Sequence, residues 1–401
     1  MNVITLNFMT NAPNSSNPSP NLPSNLSSNN KPKDSTVYHP IDPVDQTVIK
    51  NWLFDDLLPW QRTTWQYFTE HFNDGVKLPH ALLIAGNAGT GKRAFVYRFV
   101  AWAFCQQKSN IDTACGKCES CQWLLANTHP NLYQIPPLAV SEIDKKPKKT
   151  NQLQDQSPTH QHSALIKIDD IRQMQPFVQQ SSDGIRMVVI HQADSMTLGA
   201  SNALLKTLEE PAPNVLLFLI SDTPSQLLPT VRSRLQFFNV SDINPKQSLD
   251  FMQQRLANVD PSDFDLFDLK QVNQMSGFAP FVAMDMLYSE WYQQRQIWLN
   301  SWQAVRSASR GVIQASDYWQ KTLSLSDFLY LSQLMLLEIG NYCNDLPVAQ
   351  TDIQFDKLQP KPDLRAILHL QNVINQIWLD RRQHIQDKLC YDKLINALQM
   401  C

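Results

Sequence analysis

Glycine is scarce in this chain, 10 of 401 residues, so a place where glycines gather is a place where the backbone requires them. Long apolar runs are missing: none approaches the roughly 20 residues of a membrane-spanning helix. The first residues have neither the basic start nor the apolar core of a secretory signal. There is no basic excess either, with 34 Lys and Arg against 37 Asp and Glu and a net charge of -3. That balance excludes a protein that binds nucleic acid by being positive throughout. Charged residues make up only 18% of the chain and hydrophobic residues 43%, which excludes a wholly disordered chain and supports sizeable cores. No internal repeat is visible. The length is two to three times the usual domain of about 150 residues, so several domains in a soluble, cytoplasmic protein are expected.

Residues 11–30 hold 7 Asn, 6 Ser and 4 Pro, too few apolar side chains to offset the entropy of ordering them. Residues 1–45 are therefore expected to be a disordered leader. A second polar stretch, 140–162, lies between apolar segments and reads as an inserted mobile loop. Between these stretches and residue 240, flat apolar runs alternate with helical patterns. Strands are expected at Ala81–Ile84, Asn131–Ile135, Met187–Ile190, Val215–Ile220 and Gln236–Val240, buried on both faces. Helices are expected at Lys92–Gln107, Ile168–Gln180 and Thr197–Glu210, the last with an apolar face of Leu198, Leu204, Leu205 and Leu208 and stopped by Pro211. Such alternation predicts an α/β fold, a parallel sheet with helices on both faces. Past residue 245 the strand signals fade. Ile367, Leu370, Ile374, Ile377 and Trp378 form one helical stripe, and Leu394, Ala397, Leu398 and Cys401 form another.

The run GNAGTGKR, residues 86 to 93, places three of the ten glycines (Gly86, Gly89, Gly91) after an apolar strand and before a helix. Glycines let backbone N–H groups turn toward a phosphate, the helix N-terminus adds partial positive charge, and Lys92 reaches the β- and γ-phosphates. The motif then asks for a Ser or Thr hydroxyl to ligate Mg²⁺, and the chain supplies Arg93. The later strand that should end in acids ends in His191 and Gln192. Metal and water-activating base are thus both expected to be missing, leaving bound nucleotide without hydrolysis, or no nucleotide, as open alternatives. Asp194 could stand in as an acid, but capping the helix that starts near Thr197, or facing water, is the expected role.

Cys105, Cys115, Cys118 and Cys121 follow C-x9-C-x2-C-x2-C, with Gly116 and Lys117 forming the turn between ligands. Four thiolates close a tetrahedral shell and leave no open position, so structural zinc is expected. Cys343, Cys390 and Cys401 lie scattered on helical patterns and read as packing residues.

HALLIAGNAGTGK, the cysteine cluster followed by THPNLYQI, then NALLKTLEEP and LPTVRSRL together resemble the delta prime family of bacterial DNA polymerase III clamp-loader subunits. The resemblance is strongest from Trp52 to Phe238. It implies a RecA-like, AAA+-type domain over 46–240 carrying the zinc module at 105–121. A helical lid over 241–290 and an all-α collar over 291–401, through which a heteropentamer assembles, complete the chain. The implied partners are gamma/tau and delta subunits and, through the complex, the sliding clamp, primed DNA and the polymerase holoenzyme with its nucleotidyltransferase activity. Ser233, Arg234 and Leu235 match the family's Ser-Arg-Cys motif, whose arginine enters a neighbour's ATP site as a trans-acting finger; Leu235 departs from the cysteine. In Ser276-Gly277-Phe278-Ala279-Pro280, Pro280 stands where active relatives place a nucleotide-sensing arginine. Glu209 and Glu210 end a helix whose last turn disfavours negative charge; that hints at a basic residue from a neighbouring subunit, but a solvated helix end is the expected reading.

The reading that follows is a non-hydrolysing clamp-loader subunit with structural Zn²⁺, no Mg²⁺ site, and Gly86, Gly89, Gly91 and Lys92 as a residual phosphate loop for ATP or ADP. The alternatives are an active gamma/tau-like ATPase that uses substitute acids, and a zinc-dependent DNA-binding protein.

Overall fold

A computed structural model describes residues 46–73, 78–108, 112–136, 165–180, 184–256, 266–381 and 385–400. The expected leader, the 140–162 loop and Cys401 lie outside them. Five parallel strands carry the fold: β1 (Ala81–Ala85), β2 (Leu132–Ile135), β3 (Arg186–Ile190), β4 (Val215–Ser221) and β5 (Gln236–Asn239), in the order β2-β3-β4-β1-β5. The three inner strands are buried at every position, as parallel strands covered on both faces must be. The edges differ from the expectation of two-sided burial: β2 is mostly half-buried and β5 mostly exposed, because each has only one neighbouring strand.

Helices α1 (Gln46–Phe54), α2 (Arg62–Asn73) and α3 (Lys92–Phe104) cover one face. There Trp65, Phe68, Phe95, Phe99 and Trp102 pack edge to face with one another and reach the sheet through Phe218. Helices α5 (Ile168–Gln179) and α6 (Leu198–Glu209) cover the other face through Ile171, Met174, Leu204 and Leu208. The expected apolar face of α6 holds for Leu204 and Leu208, while Leu205 is half-buried and Leu198, at the first turn, is 65% exposed. Helix α3 ends before the expected Gln107, since the backbone becomes extended at Cys105 and brings its thiol into the cysteine cluster. Between that cluster and β2 lies the short helix α4 (Glu119–Leu125), and between β4 and β5 lies α7 (Pro229–Arg232).

After the sheet the chain is helical. Helices α8 (Pro245–Leu256), α9 (Leu266–Met275) and α10 (Pro280–Tyr288) form a small group whose core also takes in Leu58 and Trp60 from the first domain. A short α11 (Glu290–Gln293) leads to α12 (Arg295–Arg306), α13 (Val312–Thr322), α14 (Leu325–Cys343), α15 (Leu364–Arg381) and α16 (Asp387–Met400). Their shared core holds Trp298, Trp302 and Trp319, the expected stripe Ile367, Leu370, Ile374 and Ile377, and the second stripe Leu394, Ala397 and Leu398. Cys390 is buried in this core and Cys343 packs at its margin. The architecture is thus a parallel-sheet α/β domain followed by helices: α8 to α10 where a lid is expected, and α12 to α16 where a collar is expected. Gln271 ties the last two together, donating at 2.9 Å to the carboxylate of Asp352, which also pairs with Arg295 at 2.8 Å. Among the described residues no helix is long and apolar enough to cross a membrane.

Candidate functional site

The carboxyl ends of β1, β4 and β5 meet where strand order reverses, the place at which open α/β sheets bind ligands. The glycine loop sits there. Gly89 and Gly91 have φ of +70° and +82°, conformations that side chains resist, and Gly91 leads straight into α3. Lys92 reaches back over the loop and donates to the carbonyls of Gly86 at 2.7 Å and Asn87 at 2.5 Å. Its third donor is taken by Asp222, the residue after β4, at 2.5 Å. The Lys92 side chain is 4% exposed, and burial lowers its pKa against the opposing pull of Asp222.

The chain also crowds the loop from outside. A Cβ on Gly86 would stand 1.6 Å from Ser241 Oγ, and one on Gly89 would stand 2.4 Å from Val282 of the lid and 2.8 Å from its backbone nitrogen. Phe281 N donates to Gly89 O, Trp60 Nε1 to Thr90 O at 3.0 Å and Gln61 Nε2 to Gly91 O at 3.0 Å. Pro280, at the expected place of the missing sensing arginine, starts α10 and delivers Phe281 and Val282 onto the glycines.

Below the loop, at the end of β3, His191 is fully buried and shares a 2.9 Å hydrogen bond with the Tyr97 hydroxyl. Burial, with the nearby Arg93 charge, holds its pKa well below the usual imidazole range. A neutral imidazole and a guanidinium therefore occupy the neighbourhood where an ATPase gathers acid and Mg²⁺. Asp194 does not cap α6: Thr197 does, its hydroxyl accepting from Ala200 N at 3.2 Å. Instead Asp194 accepts from the Thr223 hydroxyl at 3.1 Å.

Arg234 lies just past α7, 37% exposed. Its Nη1 donates to Thr230 O at 2.9 Å and its Nη2 pairs with Glu209 Oε1 at 2.7 Å. The partner for the Glu209 charge thus comes from within the chain rather than from a neighbouring subunit. The turn is held from beneath by Val231, buried, and by Leu235, which packs against the core.

The four cysteines converge, their Sγ atoms all within 4.8 Å of one another. Tetrahedral zinc with Zn–S near 2.3 Å needs sulfurs about 3.8 Å apart, and Cys115 Sγ and Cys121 Sγ are 3.9 Å apart. Backbone N–H groups of Lys117 and Cys118 donate to Cys115 Sγ and bring its thiol down to about 6, which favours the ligating thiolate. Burial pushes Cys105 and Cys121 the other way, so a cation is what would make all four thiolates together. The set could hold a metal ion. His129 is not a ligand: it bonds the Ser120 hydroxyl at 3.0 Å and accepts from Asn131 N, steadying α4.

Asp222, Thr223, Ser241, Phe281 and Val282 were not legible as site residues, and Glu209 was legible only as a charge at a helix end. Only Asp222 carries a usable signal, since it lies two residues past the apolar run Val215–Ile220, at the carboxyl end of a strand, where parallel sheets bind ligands.

Residues 60–244 match the family model described as DNA polymerase III, delta subunit. The DNA polymerase III subunit delta' of Pseudomonas aeruginosa is 32% identical over 230 residues, 57% of this chain and 60% of that protein. Subunit delta' of Escherichia coli K12 is 32% identical over 178 residues, 44% of this chain and 46% of that one. Subunit tau of Bacillus subtilis is 26% identical over 167 residues, 42% of this chain and 25% of that one. Each match spans less than two thirds of the relative's own length. Residues 60–244 are less than half of the chain, and over that stretch the strand order and glycine loop are those of a parallel-sheet domain with a phosphate-type loop. The matched stretch is similar to the delta prime subunits of bacterial DNA polymerase III.

Proposed function

We propose that this chain is a non-hydrolysing subunit of a DNA polymerase III clamp loader that helps place the sliding clamp on primed DNA and supplies Arg234 to a neighbour's ATP site. The observation that carries this reading is the contrast between two cations: Lys92 closed under its own loop, lid and Asp222, and Arg234 held at an accessible corner. In cis, Gly86, Gly89, Gly91 and Lys92 keep the form of a phosphate loop, but Arg93 and neutral His191 offer nothing to Mg²⁺ and no base to water. The loop is therefore read as empty of nucleotide in the working protein. In trans, a guanidinium beside the γ-phosphate neutralises charge developing in phosphoryl transfer, worth about 10³-fold or more in rate.

The remaining assignments follow from this reading. Cys105, Cys115, Cys118 and Cys121 hold structural Zn²⁺, which cross-links the end of α3 to α4 and takes no part in the chemistry. The AAA+-type domain extends over 46–240, the lid over 241–290 and the collar over 291–401. The partners are gamma/tau and delta subunits in a cytoplasmic heteropentamer, with clamp and DNA reached through the complex. A gamma/tau-like ATPase is the second reading, favoured by the carboxylate of Asp222 beside Lys92 and by Asp194, whose charge also acts on that lysine.

Steady-state ATP hydrolysis by the purified chain, with Mg²⁺ and primed DNA, separates the two. Turnover that disappears in Lys92→Ala would establish the ATPase; no turnover above that control is expected. In a reconstituted loader, Arg234→Ala should lower ATPase activity while the pentamer still forms, and unchanged activity would sink the finger assignment.

A further inference from the structure

The geometry points to Glu209 as a positioning residue that stows Arg234: its carboxylate holds the guanidinium edge that a phosphate oxygen of the neighbouring subunit would take. The inference rests on the reading of Arg234 as a finger and deepens it by naming what the finger must release before it works.

Arg234 has two acceptors of different kinds. Thr230 O, four residues earlier, belongs to the backbone of the same turn and moves with it. Glu209 Oε1 comes from the end of α6, across the corner. A carboxylate and a phosphate present equivalent oxygen acceptors to a guanidinium edge, and each can be exchanged for the other there. Glu209 is also the acceptor that costs least to displace. The pair is 37% exposed on the arginine side and 51% on the glutamate side, and such pairs shift an equilibrium by no more than about five-fold. Its carboxylate stands at the carbonyl end of a helix, where negative charge is disfavoured once the guanidinium leaves, and the exposed side chain can then turn to water.

Stowing has a consequence for selectivity. With Glu209 paired to it, the Arg234 charge is already met, so a stray polyanion gains little by approaching that guanidinium. Only an anion fixed at the right place by subunit docking can compete with a carboxylate already in position. Lys92 and Asp222 make the same kind of pair, yet with the ammonium 4% exposed no outside anion reaches it.

The test uses the full chain in a loader reconstituted with its gamma/tau and delta partners, titrating the chain and following ATP hydrolysis. Glu209→Gln should lower the half-saturating concentration of the chain two- to five-fold while kcat at saturation stays within about two-fold. Glu209→Asp should return the half-saturation toward the parent value. Glu209→Gln added to Arg234→Ala should give no gain over Arg234→Ala alone, which a general loosening of α6 would not reproduce. An unchanged half-saturation in Glu209→Gln, or a fall in kcat, would overturn stowing, the latter meaning that Glu209 aims the finger instead. Failure of the underlying reading looks different: Arg234→Ala would then leave the rate intact whatever stands at 209. Thermal unfolding of each variant chain, expected to match the parent, excludes misfolding as the source of any change.

Discussion

Lys92 and Arg234 are both cations of the kind that face phosphates, and each is paired with a carboxylate from its own chain, at 2.5 and 2.7 Å. What separates them is enclosure. Lys92 is closed in by its own loop carbonyls, by Ser241 and by the lid residues Phe281 and Val282. Arg234 stands on a short turn with about a third of its side chain in water. An identical pairing is a lock where solvent is excluded and a latch where it is not, because desolvation sets the cost of separating the charges. On the proposed reading the first region has given up exchange of ligands, while the second keeps it.

The largest test of this contrast compares the two cations in the assembled loader. Arg234→Ala should lower ATP hydrolysis by about 10³-fold, whereas Lys92→Ala should leave it within about two-fold; equal losses would erase the distinction.

The seal itself is open to a steric test. Gly89→Val asks for a side chain where Val282 and its backbone nitrogen already stand, at a φ of +70°. A loss of about 3 kcal/mol or more in urea unfolding is expected, and no loss would mean that the lid does not bear on the loop.

A smaller effect comes from His191, whose folded pKa lies well below its unfolded value because of burial. Below about pH 6.5 the unfolded chain then binds more protons than the folded one, so stability falls as pH falls. His129, brought down to about 4 by burial, adds to the same limb. In His191→Gln the drop in stability between pH 7.5 and pH 5 should shrink by on the order of 1 kcal/mol. An unchanged slope would argue against a neutral imidazole at the old acid position.

Smallest is the effect of Asp222→Asn on nucleotide binding. Freeing the Lys92 ammonium should raise affinity for a fluorescent ATP analogue only a few-fold, because Val282 and Ser241 still crowd the loop. A jump of a hundred-fold would show that Asp222 alone kept nucleotide out.

Legibility followed the range of the interactions concerned. The five strands and the helices α3, α5 and α6 could be read from period and punctuation within a few residues, and the inner strands β1, β3 and β4 were flat and apolar as burial on both faces requires. The edge character of β2 and β5 could not, since it depends on neighbours. The cysteine spacing pointed to a cluster, and the four thiols do converge. Asp194 was read as a cap because it precedes a helix, yet Thr197 lies at the position where a hydroxyl meets the N3 backbone N–H, and took the role. Leu198 was read into the apolar face on spacing alone; at the first turn it projects beyond the sheet that the other leucines cover.

By itself the sequence determined which side chains stand at the metal positions of the phosphate-type loop. Arg93 and His191 replace a hydroxyl and an acid, and no folding can make either residue ligate Mg²⁺ as the originals would. It determined the four sulfur donors as well, because ligand type and close spacing are local properties. Only the tertiary structure decided what became of the cations left behind. The parallel sheet sets the end of β4 beside the glycine loop and so gives Asp222 to Lys92, and the packing of α6 against α7 gives Glu209 to Arg234. Those partners lie far apart along the chain, and charge pairs between distant residues leave no periodicity or spacing to read.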